Sequence, residues 1–424
     1  MPSTAYYIWK SCLTVSGTTR DTRPLLDLSN AMSGVLNMRQ EPDRLPYNLV
    51  YVEKYVIVTS PTISTPHCIP MTQCEFINDL IPLILDSYSH WWPRDLLALA
   101  TVSPYWLFHA RKRLYAHPTI HSFPACTLLA RTLAENPFLI PLIKRITLRP
   151  MRTTGLCPQL QNHASSSLRS ILALKGLNCI TLGGELAVKA ARYLKLIAVP
   201  EAVDELHIDG SLVGHRLNCP PSLEWDESMA FQFPNLRKLR LTRVELVISP
   251  PSVRRFPLSI SSLYLENVNI TYGILPHLLN GARSLEQLHV NTKDAAVYDE
   301  QIQLVLASCA VGHLHYEVER ERHANALVLD GETYNTKALH CLHLRGLFVD
   351  LGFVTAISMM CRNLVELVVC GREVRVGAEE WTTLIRSGVF DSVRRLGLPW
   401  ENWKNEEVEQ VRTACVSRGI GVVM

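Results

Sequence analysis

The sequence predicts an α/β protein: a small helical module followed by a long solenoid with parallel strands on its concave side and helices outside. Three observations carry that prediction. The motif apolar-x-x-apolar-x-apolar recurs ten times between Ile143 and Leu398. Stretches with helical apolar spacing separate the copies. Ahead of them, Phe76 to Tyr115 carries the start and stop signals of three short helices.

In the first of these helices Phe76, Leu80, Leu83, Ile84 and Tyr88 keep i, i+3, i+4 spacing. Pro93 interrupts the chain, and Asp95 is placed to cap a helix over Leu96 to Val102. Ser103 caps the third helix, with Pro104 at its first position, where a missing N–H costs nothing. Arg111, Lys112 and Arg113 close it, since cations suit the negative end of the helix dipole.

The repeated motif begins at Ile143-Ile146-Leu148, Leu177-Ile180-Leu182, Val203-Leu206-Ile208 and Leu236-Leu239-Leu241. It continues through Ile260-Leu263-Leu265, Leu285-Leu288-Val290, Val311-Leu314-Tyr316 and Leu339-Leu342-Leu344, then Leu364-Leu367-Val369 and Val393-Leu396-Leu398. The central residues lie 34, 26, 33, 24, 25, 26, 28, 25 and 29 positions apart, and from Leu239 onward every gap falls within the leucine-rich-repeat period. One such unit cannot bury its apolar face alone, so the units must stack. The helices between them are expected over Cys126 to Glu135, Tyr272 to Ala282, Glu300 to Cys309, Phe353 to Cys361, Glu379 to Ser387 and Glu406 to Ser417. Gly419 is a C-cap, and Ile420 to Val423 a closing strand. The two long gaps place insertions around Met151 to Ser167 and Gly214 to Ala230. The usual Asn or Cys after the motif is replaced by Val244, Val268 or Leu347, so apolar packing should hold those turns.

The helical stretch resembles the F-box, most closely that of fungal leucine-rich-repeat proteins. The resemblance rests on Asp79-Leu80-Ile81, Ile84-Leu85-Asp86, Arg94-Asp95-Leu96-Leu97-Ala98-Leu99, Val102-Ser103 and Trp106. It covers about 40 residues. The usual opening Leu-Pro is Phe76-Ile77 here, and the usual Val-Cys is Val102-Ser103. The resemblance implies docking on the Skp adaptor of a cullin–RING ubiquitin ligase through Leu80, Ile84, Leu96, Leu97, Val102 and Trp106. The alternative is an ordinary helical cap on a repeat scaffold with no ligase role. The expected organisation is an extension over residues 1–68, with strand character only at Tyr47 to Thr59 and a Ser/Thr/Pro-rich linker at Ser60 to Pro66. The helical module follows over 69–120, and the solenoid over 121–424.

Composition narrows the function classes. Of 424 residues, 47% are hydrophobic and 19% charged, which supports a large core and argues against disorder. The net charge of +3 names no partner. The stretch Arg94 to Arg152 holds nine Lys/Arg against two acids, a basic patch that reads as a solvated face; a nucleic-acid interface there would show strong salt dependence. The twelve cysteines show no CxxC pairing, which suits a reducing compartment, cytoplasmic or nuclear. No signal-peptide pattern or membrane-length apolar run is seen, and no membrane partner is expected. No P-loop, dinucleotide fingerprint, GxSxG or HExxH occurs, so neither an enzyme nor a cofactor is expected.

Function is expected instead on the solvent side of the strands, where the residue inside each apolar-x-apolar points outward. These are Thr147, Thr181, His207, Arg240, Tyr264, His289, His315, His343, Val368 and Gly397. Neighbouring strands lie about 4.8 Å apart, so His289, His315 and His343 should form a row beside Tyr264 and Arg240. Read as a client-binding face, the row takes in His207, Arg240, Tyr264, His289, His315 and His343. The competing readings are a solvated face and a three-imidazole metal site; no carboxylate or thiolate clearly joins the row, so no metal is expected. Histidines titrating near neutrality would make binding pH-sensitive.

Overall fold

A computed structural model describes residues 72–87, 91–151, 158–213, 220–252, 260–279, 282–293, 295–319 and 336–423. The expected extension over 1–68, with its Tyr47 to Thr59 strand, lies outside them, as does part of each insertion. The chain divides into two compact units, Met1–Arg113 and Leu114–Met424.

The first unit holds α1 (Thr72–Ser87), α2 (Pro93–Ala100) and the start of α3 (Pro104–Ala116). Asp95 does not cap α2. The helix begins two residues earlier, at Pro93, after an extended Trp92, and Asp95 sits in its first turn. A proline tolerates the first helical position because that N–H has no partner there anyway. Ser103 does cap α3, its Oγ accepting from the Trp106 amide at 3.4 Å. Arg113 Nη1 meets Asp86 Oδ1 at 3.5 Å, tying the C-terminal part of α3 to that of α1.

The second unit is an α/β structure built on a 12-stranded sheet. Its strands are β1 (Thr119–Ser122), β2 (Arg145–Met151), β3 (Cys179–Gly183) and β4 (Glu205–Asp209). After a short β5 (Ser222–Trp225) come β6 (Lys238–Thr242), β7 (Glu245–Ile248), β8 (Ser262–Glu266) and β9 (Asn269–Tyr272). The series ends with β10 (Ser284–Thr292), β11 (Ala310–Val318), β12 (Cys341–Arg345), β13 (Glu366–Cys370), β14 (Arg395–Gly397) and β15 (Gly421–Val423). In the large sheet the order is β1-β2-β3-β4-β6-β8-β10-β11-β12-β13-β14-β15, every pair parallel. The ten motif copies therefore lie on ten consecutive strands, β2 to β14, in chain order.

Register follows the motif residue for residue. Ile146 pairs with Ile180, Leu206 with Leu239, Leu263 with Leu288, and Leu314 with Leu342. The second and third apolar positions of all ten copies are 2% exposed or less. Such complete burial of a whole face is what makes a one-residue slip costly, because it would turn every leucine to the opposite side. Behind that face lie helices, among them Ala295–Ser308, Leu351–Met360 and Ala378–Arg386. Tyr316 replaces leucine in the motif and donates its buried hydroxyl to Asp299 Oδ1 at 2.7 Å, pinning the strand to the helix of its own repeat.

Three local features differ from expectation. The helix expected over Tyr272 to Ala282 shrinks to Leu275–Leu278, because Tyr272 ends β9 and Gly273, at φ +85°, turns the chain. β9 joins β5 and β7 in a second, three-stranded parallel sheet with no counterpart in the sequence reading. β5 and the helix Glu227–Gln232 also occupy much of the expected insertion at 214–230. The apolar turn residues Val244, Val268 and Leu347 are at most 5% exposed. Cys126, Cys179, Cys309, Cys341, Cys361, Cys370 and Cys415 are free, and among the described residues no helix is long and apolar enough to cross a membrane.

Candidate functional site

The face of the large sheet opposite the leucines carries three rows of mostly polar side chains, one residue per strand. Parallel in-register pairing puts chemically equivalent positions side by side. The middle row runs Thr147, Thr181, His207, Arg240, Tyr264, His289, His315, His343, Val368 and Gly397 through direct neighbour pairs. All six residues expected at the client-binding face, His207, Arg240, Tyr264, His289, His315 and His343, therefore stand in one line.

The centre of that line is an aromatic stack. Tyr264 and His289 lie 5.8 Å apart between ring centroids, His289 and His315 4.2 Å apart at an interplanar angle of 15°, and His315 and His343 5.5 Å apart, tilted by 58°. Lys238 Nζ stands 5.3 Å from the Tyr264 ring centroid, a cation–π contact closing one end. The Tyr264 hydroxyl donates to Gln287 Oε1 on the next strand. At the other end His343 Nε2 donates to Glu366 Oε1 at 2.9 Å.

The flanking rows are charged, and the charges cancel in pairs. Glu205 holds Lys238 at 3.2 Å and Arg145 at 3.7 Å, and Asp209 holds Arg149 at 2.8 Å. Arg240 meets Glu266 at 3.4 Å and Arg345 meets Glu317 at 3.5 Å, while Arg395 pairs with Glu366. Thr242 donates to Glu266 Oε2 at 3.3 Å, so its oxygen is left to accept from His207 Nε2 at 3.2 Å. Burial works to raise the pKa of Glu205 and Asp209, but hydrogen bonds and the neighbouring cations outweigh it and hold both below the usual carboxylate range.

For His289 and His315 the expectation of titration near neutrality is corrected. Burial lowers the pKa of His289, and takes those of His207 and His315 down to about 4. An imidazolium loses hydration in a half-buried stack and meets a second ring at 4.2 Å, so the neutral form wins. Those three rings carry no charge at neutral pH. His289 and His315 lie face to face, while His343 is tilted away from that plane. Among the described residues no group of three or more His, Cys, Asp or Glu is arranged to hold a metal ion.

The helical unit divides its expected docking residues. Leu80, Ile84 and Val102 are exposed, at 37%, 42% and 64%. Leu97 and Trp106 are half-buried. Leu96 is a correction: it is 4% exposed and belongs to the interior. Its neighbour Asp95, in the first turn of the helix, keeps an accessible side chain. The sequence reading missed other apolar side chains at the surface, namely Leu83, Trp92, Tyr105 and Phe108, all at least 58% exposed. Leu83 had been placed only on the helical stripe; Tyr105 and Phe108, three apart on α3, carried a signal in their i, i+3 spacing.

No protein-family model matches the chain, and no curated protein matches it in sequence.

Proposed function

We propose that this chain is the substrate-recognition subunit of an SCF-type cullin–RING ubiquitin ligase. The helical unit is an F-box-like module that docks on a Skp-type adaptor, and the second unit is a leucine-rich-repeat solenoid that holds a client protein. The observation that carries this reading is the double apolar character of α1. Ile81 and Leu85 are buried, while Leu80, Leu83 and Ile84 face solvent together with Val102, Tyr105 and Phe108 on the same unit. Large apolar side chains left at a protein surface mark an interaction site, and Leu80, Leu83 and Ile84 share one helix face by their i, i+3, i+4 spacing. The docking face is therefore drawn around Leu80, Leu83, Ile84 and Val102, with Leu97 and Trp106 at its margin and Leu96 inside.

The chain would perform no chemistry itself. Holding a client's lysines near a ubiquitin-charged enzyme raises their effective concentration, and that is the whole catalytic contribution. The test is co-expression with a fungal Skp adaptor, followed by affinity capture and size-exclusion chromatography. A 1:1 complex that Leu83→Asp with Val102→Asp abolishes, while the chain remains folded, supports the ligase role. Both positions are solvent-exposed, so the added charges cost the fold little. A soluble, folded chain that captures no adaptor leaves a leucine-rich-repeat interaction scaffold with no ligase role.

A further inference from the structure

Over β8 to β12 the polar face has an unusual charge distribution. The first row there reads Ser262, Gln287, His313 and Cys341, and the middle row Tyr264, His289, His315 and His343. Neither contains a lysine, arginine or carboxylate. The third row holds Glu266, Asn291, Glu317 and Arg345, and there Glu266 is paired with Arg240 and Glu317 with Arg345. No ionic group in this patch is left over to select a charged partner.

The aromatic stack adds geometry. Rings that face one another inside a stack leave their edges to a partner. An imidazole edge offers one N–H donor and one nitrogen acceptor, and its C–H rim carries partial positive charge that favours the face of another ring. From Tyr264 to His343 the row crosses three strand spacings, roughly 15 Å, which matches four or five residues of extended chain at about 3.3 Å each.

We infer that the β8–β12 patch recognises an uncharged, extended segment of a client protein that carries aromatic and carboxamide side chains. Its rings sit face-on over the imidazole edges, and its amides pair with imidazole nitrogens. This rests on the reading of the sheet face as the client-binding surface and is independent of whether the helical unit docks on an adaptor. The lowered pKa values of His289 and His315 agree with a neutral surface under cellular conditions.

The experiment is selection of a random dodecapeptide library on phage against the full-length chain, with the selected peptides then synthesised and titrated. The expected result is enrichment of Tyr, Trp, Asn and Gln at net charge near zero. Affinity should change less than about twofold between 50 and 500 mM salt, because no counterions are released. The double variant His289→Ala with His315→Ala should weaken binding at least tenfold, and amide hydrogen exchange of β10 and β11 in that variant reports whether the sheet stays paired. Selected peptides that are acidic or basic, or affinities that fall more than tenfold with salt, overturn the inference. So does selection of no peptide that competes for this face. Adaptor capture fails or succeeds separately, so the two readings are tested apart.

Discussion

Gly346 and Gly419 form a matched pair that tests how the repeats close their turns. Both adopt left-handed backbone, at φ +72° and +69°. They differ in what surrounds the missing Cβ. At Gly346 a Cβ would collide with the carbonyl oxygen of Val318 and lie 3.2 Å from its carbon, whereas at Gly419 nothing lies within 4 Å. Alanine at either site pays about 1–2 kcal/mol of left-handed strain, partly offset by about 0.4–1 kcal/mol from a less flexible unfolded chain. Gly419→Ala should therefore cost about 1 kcal/mol. Gly346→Ala must also push β11 and β12 apart at their ends, an overpacking term of about 1–3 kcal/mol. It further weakens the bond from the Gly346 amide to the Cys370 carbonyl, 3.2 Å long and worth about 1 kcal/mol. The expected total is about 3–4 kcal/mol, so the two variants should differ by about 2–3 kcal/mol in urea denaturation followed by circular dichroism. Variants equal within about 0.5 kcal/mol would refute the argument that close backbone approach, and not φ alone, demands glycine at the turn of this repeat.

Four other outcomes follow from the same structure. Tyr316→Phe leaves Asp299 without the buried 2.7 Å donor and should cost about 1–3 kcal/mol in the same assay. Leu342→Ala, at a fully buried motif position, should cost about 2–5 kcal/mol, while Val365→Ala, 38% exposed, should cost well under 1. Asp350→Ala removes the 2.8 Å cap on the Phe353 amide and should cost about 1 kcal/mol. For pH, His207 and His315 have folded pKa values near 4 against 6.5 unfolded, so the unfolded chain takes up more protons as pH falls. Their contribution is complete above pH 6.5 and is lost between 6.5 and 4. The full shift of His207 is about 3 kcal/mol, reduced by solvent screening to about 1–2. The variant His207→Gln with His315→Gln should show a flatter decline of thermal stability between pH 7 and 4.5, and an unchanged slope would contradict the burial argument.

The turns show why some of the fold was readable and some was not. Four residues after the motif's central position stand Gly184, Arg243, Asn267, Gly346 and Gly371, all with positive φ. At three of these turns the amide donates to a carbonyl on the following strand, Arg243 to Glu266, Asn267 to Asn291 and Gly346 to Cys370. Three glycines and an asparagine at a fixed offset were a legible signal, since such residues adopt left-handed backbone at least cost. Arg243 was not legible, because its conformation is imposed by its neighbours. The same holds for β1, where Ile120 is the one buried residue of four, too little alternation to declare a strand. It holds also for the sheet of β5, β7 and β9, whose short segments acquire strand character by pairing with one another.

The middle row of the sheet face was legible in its membership and illegible in its electrostatics. Motif spacing alone put His289, His315 and His343 on neighbouring strands, because a parallel array with an invariant apolar pattern allows only one register. Their protonation depends on burial, ring separation and the partner of each adjacent charge, none of which is encoded in spacing. Leu96 teaches the reverse lesson: its residue type and helical position suited an interface, but packing of α2 places it inside. Periodicity thus determined the strands, their order and the burial of one face, since these depend on local pattern repeated along the chain. The charge state of the stack, the pairing that neutralises the rows beside it and the inward turn of Leu96 were decided by three-dimensional packing, because each depends on groups far apart in sequence that meet only when the chain is folded.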